Sequence, residues 1–328
     1  SCFDKFKLPK PTNNKIKLSD ILKVKLPKTE AIEYPKDLFG NPIIPKNMSL
    51  SSKNGRNDYF LFNDLRNGAT TIHSWDIINT TERQKEICLL LLSNRRKKKY
   101  GKLDGNPLSL EHFQSLDKSV TQKDLDELVE LKILKPEEYK FKAISSSQDD
   151  LEIEEREILS RVKNEILIID ELKTDRNLKV KRIKISATIE QLKEKNAIEC
   201  TEIRYDFKNT KISSGLYGVC RIFLPTSDVF PTLVASDTND FVTLKTLKAK
   251  NDREYRNKFL KQIYQPKNYR KVTKSEACEI QGFPNDFKLP DARARWMKLI
   301  GNSVSVPVID VLCQAIIKTA AFDDIQKR

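Results

Sequence analysis

A Gly-Asn-Ser sequence at 301–303 is the part of the chain best suited to hold a ligand. Gly301 and Asn302 can adopt the positive φ of a tight turn, which would bring the backbone and the Ser303 hydroxyl close to a bound molecule. The run 304–317 that follows is apolar nearly all round, so it should be buried against something large. The chemistry indicated is ligand binding beside a buried helix.

A short capped helix is the element that must position this turn. Thr273 is a favourable N-cap, and Glu276, three residues later, completes a capping box. Gly282, with a proline two residues beyond it, is a usual helix stop. The spacing therefore predicts a helix over 274–281 that ends in a Gly-Phe-Pro turn.

Both segments resemble known sequence blocks, the ninth and tenth of the DNA cytosine-5 methyltransferases. The first block typically reads Arg-x-Leu/Val-Thr-x-x-Glu-x-x-Arg-x-Gln-Gly-Phe-Pro, and the second reads Gly-Asn-Ser/Ala-Val-x-x-x-Val. The matching residues are Arg270, Thr273, Glu276, Gln281, Gly282, Phe283, Pro284, Gly301, Asn302, Ser303, Val304 and Val308. Glu279 departs from the pattern because an arginine is usual there, which removes the basis for one local salt bridge. An ordinary capped helix and glycine turn would explain either block alone, whereas both in the right order favour the family.

The resemblance implies an enzyme that flips a cytosine out of duplex DNA and adds a cysteine thiolate to ring carbon six. A methyl group then passes from the cofactor S-adenosylmethionine to ring carbon five. Such enzymes carry a glycine-rich cofactor loop, a Pro-Cys nucleophile, a Glu-Asn-Val segment and a Gln-x-Arg-x-Arg block, and this sequence has none of them. We therefore predict no catalytic residue here. The chain should be a C-terminal half, whose catalytic half lies in the same polypeptide or in a separate subunit.

The resemblance also assigns roles to individual residues. Asn302 and Ser303 would touch the cofactor, and Arg270 and Glu276 would brace the junction between two domains. In the family, a glycine-rich loop runs into an Arg-Ile/Val-Tyr/Phe strand, and a Thr-Leu pair precedes a second loop. Polar side chains on such loops can read base edges in the major groove. The candidate DNA contacts are Ser213, Ser214, Arg221, Thr232, Ser236, Asp237 and Asn239. A plain β-hairpin with polar loops is the alternative for this region.

Composition agrees with a nucleic-acid partner. Lys plus Arg number 60 and Asp plus Glu number 46, a formal net charge of +14, which suits a polyanion such as nucleic acid. The family resemblance implies that this partner is double-stranded DNA. A lysine-rich surface from an AT-rich genome is the alternative source of this excess. We find no secretory signal and no apolar run long enough for a membrane span, so a cytoplasmic prokaryotic protein without membrane contact is expected. The six scattered cysteines and two histidines predict free thiols and no metal site.

The rest of the chain divides into four predicted parts. They are 1–57, a linker leaving the catalytic domain; 58–200, a helical insert; 201–269, recognition strands and loops; and 270–328, the two blocks that return to the catalytic domain. The predicted strands are 59–62 and 70–73 on either side of an Asn-Gly turn, 139–144, 179–187, 202–207, 219–223 and 231–235. The predicted helices begin near Thr81, Leu108 and Thr121 and include 151–172 and 188–195.

Three helices followed by an extended segment also resemble a winged-helix unit. The basic run 95–99 within it could contact phosphates or be a solvated helix end. The predicted fold is therefore α+β: an irregular β-rich recognition domain with winged-helix-like inserts, plus a C-terminal helix of a Rossmann-like methyltransferase domain whose main part is absent. The alternative function is a stand-alone winged-helix DNA-binding protein without catalysis. In isolation, the exposed final helix should make the chain poorly soluble.

Overall fold

The chain forms two compact units in a computed structural model. The first unit, Ser1–His73 with Lys211–Arg328, is interrupted by the second, Ser74–Thr210. The structure describes residues 6–10, 16–26, 58–66, 70–144, 150–210, 214–284 and 286–319.

The first unit begins with helix α1 (Leu18–Leu22) and strands β1 (Tyr59–Phe62) and β2 (Thr71–Ile72). Both predicted strands are confirmed, but they pair in parallel, with Leu61 opposite Thr71, rather than as a hairpin. The chain leaves β1 in a turn of its own, because the Asn63 side chain accepts a hydrogen bond from the Leu65 N–H at 2.7 Å. The Asn-Gly pair lies outside the described residues.

The second unit contains seven of the helices described and one three-stranded sheet. The helices are α2 (Ser74–Ile77), α3 (Glu82–Asn94), α4 (Leu110–Leu116), α5 (Gln122–Glu130), α6 (Ile153–Leu159), α7 (Ile169–Thr174) and α8 (Arg182–Glu194). The strands are β3 (Leu134–Ala143), β4 (Ile166–Ile168) and β5 (Ile198–Phe207), in the antiparallel order β4-β3-β5.

Helices α3, α4 and α5 are confirmed where they were predicted. Each begins at a side-chain cap, respectively Thr81, Ser109 and Thr121, whose hydroxyl accepts a backbone N–H from the first turn. These starts were readable from sequence because a cap and its partner are only three residues apart.

Two predictions in this unit are wrong. The helix predicted over 151–172 is divided into α6, β4 and α7, and the strand predicted over 179–187 is largely the start of α8. Apolar residues at 180, 183 and 185 imitate a strand, but Ile183 is 86% exposed while Ile185 is buried. Ile185 instead begins a buried series with Ile189 and Leu192, whose spacing is helical.

The second unit is built twice on one plan of helix, short extended segment, two helices and long strand. The long strands β3 and β5 pair with each other, from Leu134 opposite Phe207 to Ala143 opposite Ile198. Each short segment then pairs with the long strand of the other copy: Leu108 lies opposite Tyr205, and Leu167 opposite Phe141. This exchange makes the two copies interdependent.

The ends of α5 and α8 show the same duplication in atomic detail. Lys132 and Asn196 both adopt left-handed φ values, 59° and 55°. The residues that follow, Ile133 and Ala197, donate backbone hydrogen bonds of 3.0 and 2.8 Å to Leu128 and Leu192 respectively. Both helices therefore stop in the same C-terminal motif.

The first unit resumes with strands β6 (Arg221–Phe223) and β7 (Asp240–Val242). Its sheet has the order β2-β1-β6-β7, in which β1 and β6 are antiparallel and β6 and β7 parallel. Four more helices follow: α9 (Asp252–Phe259, continued by a π-helical turn at Leu260–Tyr264), α10 (Lys274–Gln281), α11 (Arg293–Gly301) and α12 (Val306–Ile317). The predicted strand 231–235 is wrong, since this stretch is irregular.

One apolar core joins the distant parts of the first unit. It contains Leu18 and Leu22 of α1, Phe223, Leu233, Val242, Val272, Ala277, Cys278, Trp296, Met297 and Ile300. The core therefore fixes α10 and α11 against the sheet and buries the irregular 231–235 segment through Leu233.

Helix α12 contributes no buried residue. Val308 is 59% exposed and Ile317 66%. Within the described residues the run is therefore not buried, as was expected for this chain in isolation. By length and composition alone, the segment Arg293–Ile317 could also cross a membrane, contrary to the prediction of no such segment. It is nevertheless two helices, since the chain leaves the helical conformation between Gly301 and Val306.

Candidate functional site

The predicted capping box at the start of α10 is confirmed and extended by an arginine. The Thr273 hydroxyl accepts a hydrogen bond from the Glu276 N–H at 3.2 Å, and the Glu276 carboxylate accepts one from the Thr273 N–H at 2.8 Å. Arg270 donates two further hydrogen bonds to the same carboxylate, at 2.8 and 2.7 Å. Burial acts to raise the pKa of Glu276, but Arg270 and Thr273 outweigh it and the pKa is lowered.

Arg270 also ties this helix to the sheet. Its backbone N–H donates to the Val242 carbonyl at 2.9 Å, and the Val242 N–H donates back at 2.8 Å. The side chain and the backbone of one residue therefore hold α10 at the end of β7. Glu279, the departure from the family pattern, lies 3.9 Å from an exposed Lys23, a pair that contributes little.

Gly282 lets the end of α10 pack closely against the start of α12. It ends the helix as predicted, with a left-handed φ of 77°, and a Cβ at this position would lie 2.4 Å from Cδ of Pro307. Both the turn and the contact therefore require glycine. This contact holds the first turn of α12 in place although nothing in the described chain covers that helix.

The prediction of positive φ at Gly301 and Asn302 is wrong. Gly301 is the last residue of α11, and Asn302 has φ −94°. Gly301 is required for another reason: a Cβ would lie 2.2 Å from the Ala235 N and 2.3 Å from the Val234 carbonyl carbon. The turn is thus packed directly against the second predicted DNA loop.

The two predicted cofactor residues lie beside this contact. The Asn302 side chain is exposed. The Ser303 hydroxyl donates to the Ile300 carbonyl at 2.6 Å, so the sharp turn between α11 and α12 is held by its own serine. Both residues adjoin the exposed apolar surface of α12.

Among the predicted DNA residues, Arg221 and Asp237 have their charges satisfied within the chain. Arg221 makes a two-pronged ion pair with Asp240, at 2.7 and 2.9 Å. Asp237 accepts a hydrogen bond from Arg293 at 2.9 Å, and Lys271 lies 3.6 Å away. Burial acts to raise the pKa of Asp237, but Arg293 and Lys271 lower it. Sequence reasoning missed Arg293, because its partner is 56 residues away.

The other predicted DNA residues present their side chains to solvent. Ser214, Thr232, Ser236 and Asn239 are exposed, whereas Ser213 lies outside the described residues. The Asn239 carbonyl accepts the Cys220 N–H at 2.7 Å, which joins the two loops at their bases. The structure therefore brings these loops to one end of β6 and β7.

Tyr217 was not identified from the sequence. It forms a two-residue turn with Gly218, closed by paired Leu216 and Val219, and both turn residues have positive φ, 49° and 80°. These values are those of a type I′ hairpin. Its side chain is 65% exposed, so the first loop ends in an aromatic tip. The glycine beside it was the available signal.

Three of the described thiols are unsuited to nucleophilic attack. Burial raises the pKa of Cys220 and of Cys278, which disfavours the thiolate that attacks. Cys200 is shifted in the same direction for the same reason. Cys313 is exposed on α12, and Cys2 lies outside the described residues.

Comparison with known proteins gives the family. A model described as C-5 cytosine-specific DNA methylase matches residues 106–318, more than half of the chain. The chain belongs to the C-5 cytosine-specific DNA methylases. The resemblance of the two C-terminal segments is therefore confirmed.

Two curated relatives that match most of this DNA methylase chain are longer than the chain itself. It is 32% identical to the type II methyltransferase M.HgiBI of Herpetosiphon aurantiacus over 95% of its own length and 57% of that protein. It is 31% identical to the type II methylase M.HgiEI of the same organism over 87% of its length and 51% of that protein. The chain thus spans about half the length of these relatives.

A shorter match connects this methylase chain to enzymes of other bacteria. A 52-residue segment is 48% identical to the type II methyltransferase M.SsoII of Shigella sonnei. No solved structure matches the chain. Members of the family use S-adenosylmethionine and act on double-stranded DNA, and type II methyltransferases belong to restriction-modification systems.

Proposed function

We propose that this chain is the target-recognition half of a DNA cytosine-5 methyltransferase of a restriction-modification system. It would bind a specific duplex sequence and complete the S-adenosylmethionine site of a catalytic half. We place that catalytic half in the same polypeptide or in a separate subunit, in the bacterial cytoplasm and without membrane contact. The observation that carries the proposal is the exposed apolar helix α12 beside the Asn302-Ser303 turn.

The exposed surface of α12 implies an occupant. Val304, Val308 and Ile309 are 59%, 59% and 41% exposed, yet the helix is held in a defined position by the Gly282–Pro307 contact. A continuous apolar surface of this kind normally marks an interface. Because the chain spans only 57% of M.HgiBI, the remaining methyltransferase portion is the occupant that we propose.

The cofactor role follows from the position of the turn. Once α12 is covered, the exposed Asn302 side chain and the Ser303 backbone lie at the edge of the covered surface. We propose that they contact S-adenosylmethionine there. Arg270 and Glu276 would act as positioning residues, because their ion pair holds α10, and through Gly282 the start of α12, at this edge.

The DNA role belongs to the loops at the end of β6 and β7. We propose that Ser213, Ser214, Thr232, Ser236 and Asn239 contact DNA directly. Arg221 and Asp237 would hold the loops through their ion pairs with Asp240 and Arg293 respectively. Any direct contact of Arg221 or Asp237 with DNA would use only the charge that these ion pairs do not neutralise. The raised pKa values of Cys200, Cys220 and Cys278 disfavour their thiolates, which supports the location of the nucleophile in the other half.

The test is reconstitution of methylation. The chain would be expressed alone and together with the catalytic half of its own enzyme, or of M.HgiBI, and plasmid DNA would be analysed by bisulfite sequencing. We expect no 5-methylcytosine with the chain alone and methylation at one sequence with both halves. Methylation by the chain alone would refute the assignment of catalysis to the other half.

The second candidate is a stand-alone winged-helix DNA-binding protein. The helix-helix-strand order of the second unit is the observation that favours it. It predicts duplex binding that S-adenosylmethionine does not alter and no methylation on co-expression. It also leaves the α12 surface without a role, which is why we rank it second.

A further inference from the structure

The two copies in the second unit end in helices that differ in length at their start. Helix α8 has 13 residues and α5 has nine, although the two end in the same motif at equivalent positions. The difference of four residues is one helical turn, added at the amino-terminal end of α8. The shared plan of the two copies explains their common elements, but it does not explain this extra turn.

The added turn and the loop before it are strongly basic. The segment 176–187 contains five lysine or arginine residues and no aspartate or glutamate, whereas the matching segment 112–123 of the first copy contains two lysines and one aspartate. Arg176, Lys179, Lys181 and Arg182 are all exposed. The charge is therefore concentrated on one copy and presented to solvent.

The four charges on this segment are not neutralised within the part of the chain that the structure describes. No ion pair engages the side chains of Arg176, Lys179, Lys181 or Arg182 among the residues that the structure describes. The nearby carboxylates already have partners: Glu154 pairs with Lys184 at 2.6 Å, and Asp175 with Arg161 at 2.8 Å. Four cations held together without counter-charges repel one another, which favours an external anion.

The shape of α8 suits a large partner. Ile183, at the centre of the added turn, is 86% exposed, and the next residues on the same side, Ser186 and Ala187, are small and exposed. The exposed positions that follow Ile183 on this side are therefore small and leave room for a partner. Glu190 and Glu194 farther along limit the basic part to the start of the helix.

We propose that the α8 basic surface (Arg176, Lys179, Lys181, Arg182 and Ile183) binds the phosphate backbone of duplex DNA. It would form a contact additional to the recognition loops, and the equivalent surface of α5 would not take part. This inference rests on the proposed function, because it takes the DNA substrate of the family as the polyanion. Backbone contacts would add affinity and fix the register without reading sequence.

The test compares two matched charge-removal variants of the full 328-residue chain. K181S/R182S removes two charges from the α8 basic surface, and K118S/K123S removes two exposed charges at the start of α5. Serine at 181 is a favourable N-cap, so α8 should remain folded, which circular dichroism would verify. Binding of a fluorescein-labelled duplex would be followed by anisotropy over a range of salt concentrations.

We expect K181S/R182S to weaken binding about tenfold and to reduce the slope of log affinity against log salt by about 1.8, the value for two lost phosphate contacts. The K118S/K123S variant should bind like the wild type. Equal losses in both variants, or none in K181S/R182S, would overturn the inference and leave the proposed function intact. Failure of the wild-type chain to bind duplex DNA at low salt would overturn both.

Discussion

Two positions in the C-terminal segments require glycine because a neighbouring residue occupies the space that a Cβ atom would fill. Gly282 faces Pro307, and Gly301 faces the backbone of Val234 and Ala235. Backbone cannot move aside as a flexible side chain can, so the Gly301 contact is the stricter of the two. It explains why a glycine ends α11 although its φ is one that any residue could adopt.

We therefore predict that Gly301→Ala destabilises the chain by about 1–3 kcal/mol through overpacking. Helix propensity alone predicts the opposite sign, since alanine is favoured over glycine within a helix. Urea unfolding of wild type and variant would measure the difference. Gly218→Ala is the control that introduces backbone strain without overpacking, because Gly218 has a positive φ of 80° and its Cβ would meet nothing within 4 Å. A stabilised Gly301→Ala variant would exclude the close approach.

The Glu276 carboxylate should give α10 a dependence on pH. Its pKa in the folded chain is lowered from 4.5, so its stabilising effect is present above pH 4.5 and is lost as the pH falls through the folded pKa. We expect Glu276→Gln to be less stable than wild type by about 1 kcal/mol at neutral pH, a modest value because Arg270 is 39% exposed.

This difference should vanish in acid. Unfolding of both proteins at a series of pH values would check it, with Glu279→Gln as a control for the loss of a half-buried carboxylate on the same helix. A difference between Glu276→Gln and wild type that does not change with pH would show that the carboxylate charge is irrelevant to the cap.

At the scale of secondary structure elements, changes on the exposed side of α12 should impair assembly with the catalytic half but leave the stability of the chain almost unchanged. Val308 and Ile309 are 59% and 41% exposed, so Val308→Asp with Ile309→Asp should change the free energy of unfolding by less than about 0.5 kcal/mol. The same change should abolish methylation on reconstitution with the catalytic half. Asp310→Asn, on the same helix, should leave methylation unchanged. Full activity of the double variant would place the interface elsewhere.

The loops at the end of β6 and β7 should determine the DNA target. Replacing residues 213–240 with the segment of a family member that methylates a different sequence should change the sequence methylated, as bisulfite sequencing would show. Arg221, Asp237 and Asp240 should be kept in the replaced segment. Their ion pairs, including that of Asp237 with Arg293, then still hold the loops. An unchanged target would place recognition in the second unit.

For the whole molecule, the two units should respond separately to disruption. Arg95 and Asp206 form a buried ion pair at 2.8 Å in the second unit, with side chains only 6% and 7% exposed. Burial raises the pKa of Asp206 to about 6 in spite of Arg95, so the pair stabilises less than its geometry suggests. Removal of one partner would leave a buried charge uncompensated.

We expect Asp206→Ala to destabilise the second unit by about 3–5 kcal/mol. The double change Arg95→Met with Asp206→Leu should recover most of that loss. Hydrogen exchange would show protection lost across Ser74–Thr210 only. Equal loss of protection throughout Ser1–His73 would show that the two units unfold together.

Local patterns made much of this protein readable without coordinates. The caps of α3, α4, α5 and α10 follow from residues three positions apart, whose hydrogen bonds form inside one helical turn. The family likewise followed from short motifs in order. The strand β1 and the left-handed Gly282 were predictable for the same reason, because a residue and its immediate neighbours decide them.

Other features depend on residues far apart in sequence. The parallel pairing of β1 with β2, the helical start of α8 and the irregular path of 231–235 all contradict local patterns. Arg221 and Asp237 were predicted to contact DNA, but partners 19 and 56 positions away engage them. No pattern within a short window contains such partners.

The sequence by itself determined the family and the starts of α3, α4, α5 and α10, since each rests on interactions within a few residues. Only the tertiary structure decided that Gly301 is needed for contact rather than for φ, that α12 stays uncovered, and that the second unit is one plan used twice. These depend on which distant surfaces meet: Arg95 and Asp206 are 111 residues apart. Burial and close packing act between such surfaces, whereas local propensity does not register them.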